Sequence, residues 1–453
     1  MFTDPDFVPF QPPDKPLGLR GLPVLWRNYI ESYPRAAYEQ PVTRFRRGGS
    51  DTIIVCDPKL IGEILVDKAD AFGRDITTRR AFAPAIGETS LFLAEGADWR
   101  WQRRAVAPIF RHDVLLSFVP IFSAMAERQI ARWRGEQSQG PVDAAAAMTR
   151  TTFDIIVEAI LGGSASLDGQ RYSDALATTF DTIPWHIVYT QFSLPRWMPY
   201  PGRRPAKRAV AFLRQDVGRI VGARRAAPSR QSDLLDLLLT ARDSETGQAM
   251  TDDEVIANLL TFIIAGHETT AVALTWTLWL LAKDQASQER VAAEAMQVAG
   301  TGDITADQVA ALTFCRQAIE EAMRLFPPAV SLGRLAKAQM ELGDMTIGAG
   351  ARVFIPIFAL HRHVRLWDNP NAFDPGRFAP ERSKARPRYA YLPFGGGPRI
   401  CIGAGFAMTE ATVILASLVR AFRFRTVPGH KPKPVARLTL RPQGGLPLIA
   451  EPR

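Results

Sequence analysis

The chain has 453 residues, 47% of them apolar and 22% charged, with a formal net charge of +9. This composition supports a large buried core and excludes an intrinsically disordered protein. Three cysteines, Cys56, Cys315 and Cys401, lie far apart with no C-x-x-C pair, which argues against zinc, iron–sulfur and disulfide-framework readings and for a reducing cytoplasm.

The basic balance comes without a nucleic-acid motif or a long Lys/Arg run, so it reads as a solvated basic surface. The N-terminus, Met1 to Pro16, carries aspartates and prolines and no apolar signal-peptide core. No uninterrupted apolar run approaches the ~20 residues that span a bilayer, so a soluble chain without a membrane anchor is expected.

In chain order, Thr52 to Cys56 is short and β-branched and reads as a strand. Lys59 to Lys68 reads as an amphipathic helix. Phe72 to Gly96, interrupted by Pro84 and Gly87, reads as a long irregular segment of the kind kept for a lid or binding loop. Helices are expected over Trp99 to Val106, Leu115 to Arg134 and Ala144 to Leu161. Pro184 to Pro205, rich in Pro, Trp and Tyr, reads as a second irregular segment. A helix follows over Ala206 to Arg225, then a surface connection over Ala226 to Arg230.

The clearest helix comes next. Thr251-Asp-Asp-Glu254 is a capping box. The run continues without proline to about Lys283, roughly 50 Å of helix, and is apolar nearly all round, as befits a buried central element. Another helix is expected from about Ala310 to Phe326, stopped by Pro327-Pro328. Beyond it the pattern is short and β-like: Met340 to Leu342, Arg352 to Ile355, Leu438 to Leu440 and Leu446 to Ala450. The fold class is mostly α with a small, segregated β portion, α+β. One domain over 1–453 is expected, with a β-containing portion at about 40–60 and a helical body at about 97–330.

The chemistry concentrates in Phe394-Gly-Gly-Gly-Pro-Arg-Ile-Cys401-Ile-Gly403. Glycines let backbone N–H groups approach a thiolate, and a thiolate is a soft anionic ligand for iron. Gly395, Gly396 and Gly397 permit a tight turn, Phe394 can shield the sulfur, and Gly403 leaves room beside it. Arg399 can reach a carboxylate of a bound cofactor. Cys56 and Cys315 read as buried free cysteines.

Four further motifs stand apart from the loop. Ala265-Gly-His-Glu268-Thr269-Thr270 sets an acid beside a hydroxyl inside the apolar helix, a costly placement unless it serves something. The alternative is a glutamate turned to an arginine. His267 reads as a structural histidine. Glu321-Ala-Met-Arg324 spaces acid and base on one helical face. Phe373-Asp-Pro-Gly-Arg377-Phe378 and Trp99-Arg-Trp-Gln-Arg103 complete the set.

The pattern F-x-x-G-x-R-x-C-x-G is similar at every fixed position to the haem-binding signature of the cytochrome P-450 family, and the other motifs follow in that family's order. The resemblance implies that fold, with haem b between the long central helix and the helix after the cysteine loop. It implies Cys401 as the axial ligand of iron, and Trp99, Arg103, Arg334 and Arg399 at the haem propionates. It assigns Thr269 to an oxygen-binding kink and Glu268 to proton relay.

Glu321, Arg324 and Arg377 would form a buried network, although the family usually has Glu where this chain has Gly376. Arg100 and Arg104 would face outward toward an acidic electron donor. Substrate contacts by position are Phe82, Ile86, Phe262, Ala265, Ala329 and Val330, with Leu446 in the last β-turn. The resemblance implies a monooxygenase acting on an apolar small molecule (a lipid, terpenoid or aromatic), cytoplasmic and monomeric. It would draw electrons from a separate ferredoxin or flavodoxin with an NAD(P)H-dependent reductase. A peroxide-using or rearranging relative is the nearest alternative, and a haem-thiolate sensor a more distant one.

Overall fold

The computed structural model describes residues 12–15, 22–47, 50–136, 140–162, 168–191, 194–195, 197–227 and 233–453. Most of the N-terminal stretch up to residue 21, and the part of the Ala226–Arg230 connection from residue 228 on, lie outside the described residues.

The helical body is built round α6, Asp252–Lys283. The expected capping box opens it: the Thr251 hydroxyl accepts from the Glu254 N–H, and the Glu254 carboxylate accepts from the Thr251 N–H. No proline interrupts its hydrogen-bond ladder, and its apolar surface runs nearly all round, so neighbours cover it on most sides. Trp276 is fully buried, stacks on Phe326 with centroids 4.1 Å apart and donates its indole N–H to the Leu440 carbonyl at 2.7 Å.

Among the helices that precede α6 are α1 (Ile76–Ile86), α2 (Gly96–Val106), α3 (Val119–Glu136), α4 (Ala144–Leu161) and α5 (Arg203–Ala226). After α6 come α7 (Gln285–Ala299), α8 (Thr313–Leu325) and α9 (Ala404–Ala421). Gly266 lets α6 and α4 close together: a Cβ there would sit 3.0 Å from Ile156 Cδ1.

A five-stranded sheet lies to one side: β1 (Val42–Arg47), β2 (Ser50–Val55), β3 (Phe72–Arg74), β4 (Leu332–Ala336) and β5 (Arg352–Ile355), in the order β1-β2-β5-β4-β3. β2 and β5 are parallel and the other pairs antiparallel. The sheet therefore joins strands from both ends of the sequence.

Two segments read as irregular contain helices. α1 forms despite Pro84, because Asp75 accepts from the N–H groups of Thr77 and Thr78 at its start. A second helix spans Ile183–Gln191. In both, tertiary packing overrides a weak local signal. Three helical stretches, His112–Gly135, Asp252–Lys283 and Ala404–Ala421, are long and apolar enough to cross a membrane by composition, although none is an uninterrupted apolar run. In the latter two, 72% of the apolar window is buried inside the fold, so that surface is used by the core.

Candidate active site

The cysteine loop enters α9 after a short turn. Gly395 and Gly397 adopt φ of +73° and +69°, in the left-handed region that favours glycine, whereas Gly396 is extended. Gly397 is the tightest point: a Cβ there would lie 2.0 Å from the Leu65 carbonyl oxygen. The Cys401 N–H donates to the Phe394 carbonyl at 2.9 Å and closes the loop. At Gly403 the nearest protein contact of a Cβ would be Phe110 at 3.9 Å, and at Gly405 it would meet Leu115 at 2.7 Å.

Cys401 keeps accessible surface yet has protein on most sides. Burial pushes its thiol up, while a backbone N–H bond from Gly403 and the positive charge of Arg103 act the other way. Those two influences are what a thiolate ligand needs. Cys56 and Cys315 are buried and desolvation pushes their thiols up, with the negative charge of Glu294 adding to it at Cys315.

The cations come from two directions. Arg334 on β4 lies directly opposite Arg74 on β3 in the antiparallel register. Arg399 comes from the cysteine loop, donates to the Ala94 carbonyl at 2.9 Å and lies over the Trp99 ring at 4.5 Å. Like charges opposite each other on a sheet repel. Burial, then Arg334 and Arg399, push Arg74 down to about 9. Burial and Arg399 likewise push Arg334 down to about 10.

Arg74 Nε and Arg399 Nη1 are buried without a hydrogen-bond partner. Three crowded arginines, two of them with an unsatisfied N–H group, fit a ligand bearing carboxylates, and a thiol beside an N–H donor and a cation fits an iron. The residues present therefore fit haem. Arg74 was not legible beforehand, because its role depends on the pairing of β3 with β4.

On α6, Ala265 is accessible and Thr269, one turn on, is partly so, while Phe262 to Ile264 and Thr270 to Ala282 are buried. The Thr269 hydroxyl donates to the Ala265 carbonyl at 2.6 Å. The helix remains α-helical there and shows no break at the expected kink. His267 is buried, its Nδ1 2.9 Å from the Ile263 carbonyl, as a structural histidine.

Glu268 is buried and turned toward the last β-hairpin. Arg441 donates to its carboxylate from Nε at 2.8 Å, and Thr439 donates its hydroxyl to the same oxygen. This is the glutamate–arginine alternative weighed above, with the arginine supplied from far along the chain. Glu410 on α9, unmarked in the sequence, is buried, and desolvation holds its carboxyl well above the usual range while the Thr270 hydroxyl opposes in part.

Glu321 and Arg324 on α8 are fully buried. Arg324 uses all five N–H donors: Glu321 at 2.6 and 2.7 Å, His361 at 2.9 Å, Pro370 at 2.6 Å and Ala372 at 2.8 Å. Arg377 Nε lies 3.4 Å from Glu321. The Gly376 departure is taken up locally, as Asp374 accepts from the Gly376 N–H and pairs with Arg382 at 2.8 Å.

A 350 Å³ cavity is lined by Phe82, Ala329 and Val330, together with Arg74, Arg334 and Leu438. Ile86 and Leu446 are instead in the core, and Phe262 is buried edge-on against Phe110 at 5.5 Å. Leu446 is held by its backbone to Ala144 and Asp143, and the C-terminal region reaches the cavity through Ala436, Arg437 and Leu438 instead. The expected outward-facing pair also divides. Arg100 is half exposed, but Arg104 is bound by Asp243 at 2.7 Å and Glu245 at 3.2 Å, which neutralises it.

The cytochrome P450 family model matches residues 23–448. The chain belongs to the cytochrome P450 family. It is 31% identical over 91% of its length to cyclooctatin synthase of Streptomyces melanosporofaciens, covering 89% of that protein. It is 30% identical over 95% of its length to cyclooctat-9-en-7-ol 5-monooxygenase of the same organism, covering 92% of it. A human relative, cytochrome P450 4F12, is 31% identical over 92% of the chain and 83% of its own length. The crystal structure of the cytochrome P450DA heme domain superposes with a TM-score of 0.80 at 26% identity, over 91% of this chain and 90% of that one. The chain is thus a P450 monooxygenase with the family's fold and its cysteine-ligated haem b.

Proposed function

We propose that Cys401 holds the haem iron and that Arg74, Arg334 and Arg399, with Trp99 beside them, bind the propionates. When bound, the haem supplies oxygen activation driven by electron donation from the thiolate. The single observation that carries this reading is the convergence on one loop of an accessible cysteine, an N–H donor to its sulfur and an arginine crowded by two others. The Gly403 N–H and Arg103 favour the charged form of the sulfur, against the burial that pushes its thiol up. The remaining protein work is to hold an apolar substrate, exclude water and deliver protons.

In this reading Thr269 presents its hydroxyl at the accessible turn of α6, and Glu268 passes protons inward from the side of Arg441. Phe82, Ala329, Val330 and Leu438 orient an apolar substrate. The names of two relatives, acting on a cyclooctatin precursor or producing cyclooctatin, favour a terpenoid or lipid. Electrons come from a separate ferredoxin or flavodoxin with its reductase, and the enzyme acts as a cytoplasmic monomer.

The test is Cys401→Ser. The variant should lose haem or lose the carbon monoxide difference spectrum of a thiolate-ligated haem. A normal spectrum at full haem occupancy would overturn the assignment.

A further inference from the structure

α1 separates two cavities. Thr77, Thr78 and Phe82 face the cavity described above, Arg79, Arg80, Ala83 and Pro84 face a second one of about 510 Å³, and Ala81 borders both. The alternation follows helical spacing, since 79 and 83, and 80 and 84, are one turn apart. The helix Ile183–Gln191 divides in the same way, with Ile183 and Ile187 toward the first cavity and His186 and Tyr189 toward the second.

The second cavity is cationic on its polar side. Arg79, Arg80, Arg203 and Lys207 line it, against the single acid Glu88, which lies 3.5 Å from Arg79. Arg203 donates to the Trp197 and Met198 carbonyls at 2.8 and 3.2 Å, so its guanidinium is held at the wall. Arg203 and Lys207 occupy the first turns of α5, which contain no acid in the first turn. Cations are disfavoured at that end of a helix, where the dipole is positive. His186, at the same wall, is pushed down to about 4 by burial and by Arg80, so it adds no positive charge near neutral pH. Ala81, Ala83, Pro84, Ala206 and Val210 form an apolar strip of the wall, with the hydroxyl-bearing Thr179, Thr182, Tyr189 and Tyr200 completing it. The volume falls in the range of roughly 300–1,000 Å³ that binds small organic ligands.

We propose that this cavity is a second ligand site, separate from the haem pocket, and that it takes an amphiphile with an anionic headgroup, carboxylate or phosphate. Arg203 and Lys207 bind the headgroup, and the apolar wall between α1 and α5 takes the tail. Arg79 already pairs with Glu88 at 3.5 Å and Glu95 at 3.8 Å, so an anion there offsets chiefly the charge of Arg203 and Lys207. Because α1 and the helix Ile183–Gln191 form walls of both cavities, occupancy of this site bears on the shape of the first. The proposal goes beyond the monooxygenase assignment and does not depend on turnover.

The test uses haem-loaded protein whose iron is blocked by 4-phenylimidazole. Binding of dodecanoate, dodecyl phosphate, methyl dodecanoate and inorganic phosphate is measured by calorimetry. Dodecanoate and dodecyl phosphate should bind at one site with the azole in place, and the ester at least tenfold more weakly. The double variant Arg203→Ala, Lys207→Ala should weaken both anions at least tenfold. Ala206→Trp, which fills the cavity and keeps the charges, should abolish binding.

An unchanged azole spectral shift in each variant shows that the haem site is intact, and so separates failure here from failure of the haem assignment. The proposal is overturned if ester and acid bind alike, if neither variant changes affinity, or if the azole removes binding. Inorganic phosphate binding as tightly as dodecyl phosphate would overturn the amphiphile and leave a simple anion as the occupant.

Discussion

Arg441 grips the Glu268 carboxylate with two nitrogens, Nε at 2.8 Å and a terminal nitrogen at 2.6 Å, and so ties the last β-hairpin to the middle of α6. The carboxylate is buried, whereas the arginine is half exposed. The pair therefore has a dry end in the fold and a wet end at the surface, a geometry suited to carrying protons inward.

Replacing Arg441 by alanine leaves that buried carboxylate with Thr439 as its remaining side-chain partner. The expected cost is about 1.5–3 kcal/mol, the usual contribution of a hydrogen bond to a charged group, and nearer the lower end because the arginine is partly solvated. A lower urea midpoint at unchanged slope would register it. Glu268→Gln should alter stability less, yet slow oxygen-dependent turnover and enlarge the solvent deuterium effect. A glutamine variant with wild-type turnover would rule out proton relay through Glu268.

The Thr269 hydroxyl is bound to the Ala265 carbonyl at the accessible turn of α6. Thr269→Ala removes the hydroxyl and frees that carbonyl. The ratio of hydrogen peroxide released to product formed should rise several-fold, and Thr269→Ser should restore most of the coupling. Unchanged coupling in the alanine variant would favour the peroxide-using alternative.

Gly397 offers a contrast with its neighbour. Alanine at 397 must adopt φ of +69° and place a Cβ 2.0 Å from a backbone oxygen, so the loop has to move. Loss of at least ~1–3 kcal/mol from backbone strain is expected, with lower haem retention. Alanine at 396, in extended backbone with its nearest contact at 3.2 Å to a side chain, should be much milder. Thermal unfolding of the two holo variants side by side checks the order.

Glu410 gives a pH signature. Burial raises its folded-state pKa above the unfolded value, so the folded form keeps the proton longer. The unfolded chain then binds fewer protons than the folded one over the interval between the two pKa values, and stability falls as pH rises through it. Any stability associated with this group is fully present below the unfolded pKa and is lost toward the folded one. Glu410→Gln removes the titration. It should be more resistant to urea than wild type at pH 7, with the difference shrinking toward pH 4. A difference that stays constant across that range would show that Glu410 is not the cause.

The cysteine loop, the long helix with its capping box, and the Glu321–Arg324 pair were all legible in the chain, because each depends on neighbours within a few residues. Capping, helical periodicity and a glycine-rich turn are local properties, and chain order alone carries them. The opposition of Arg74 and Arg334, the capture of Glu268 by Arg441, the neutralisation of Arg104 by Asp243, and the placement of Leu438 in one cavity wall with Phe82 each join residues more than a hundred positions apart. Strand register and helix packing settle those meetings, and the energy that selects them comes from burial shared over the whole fold, which no short window of residues contains.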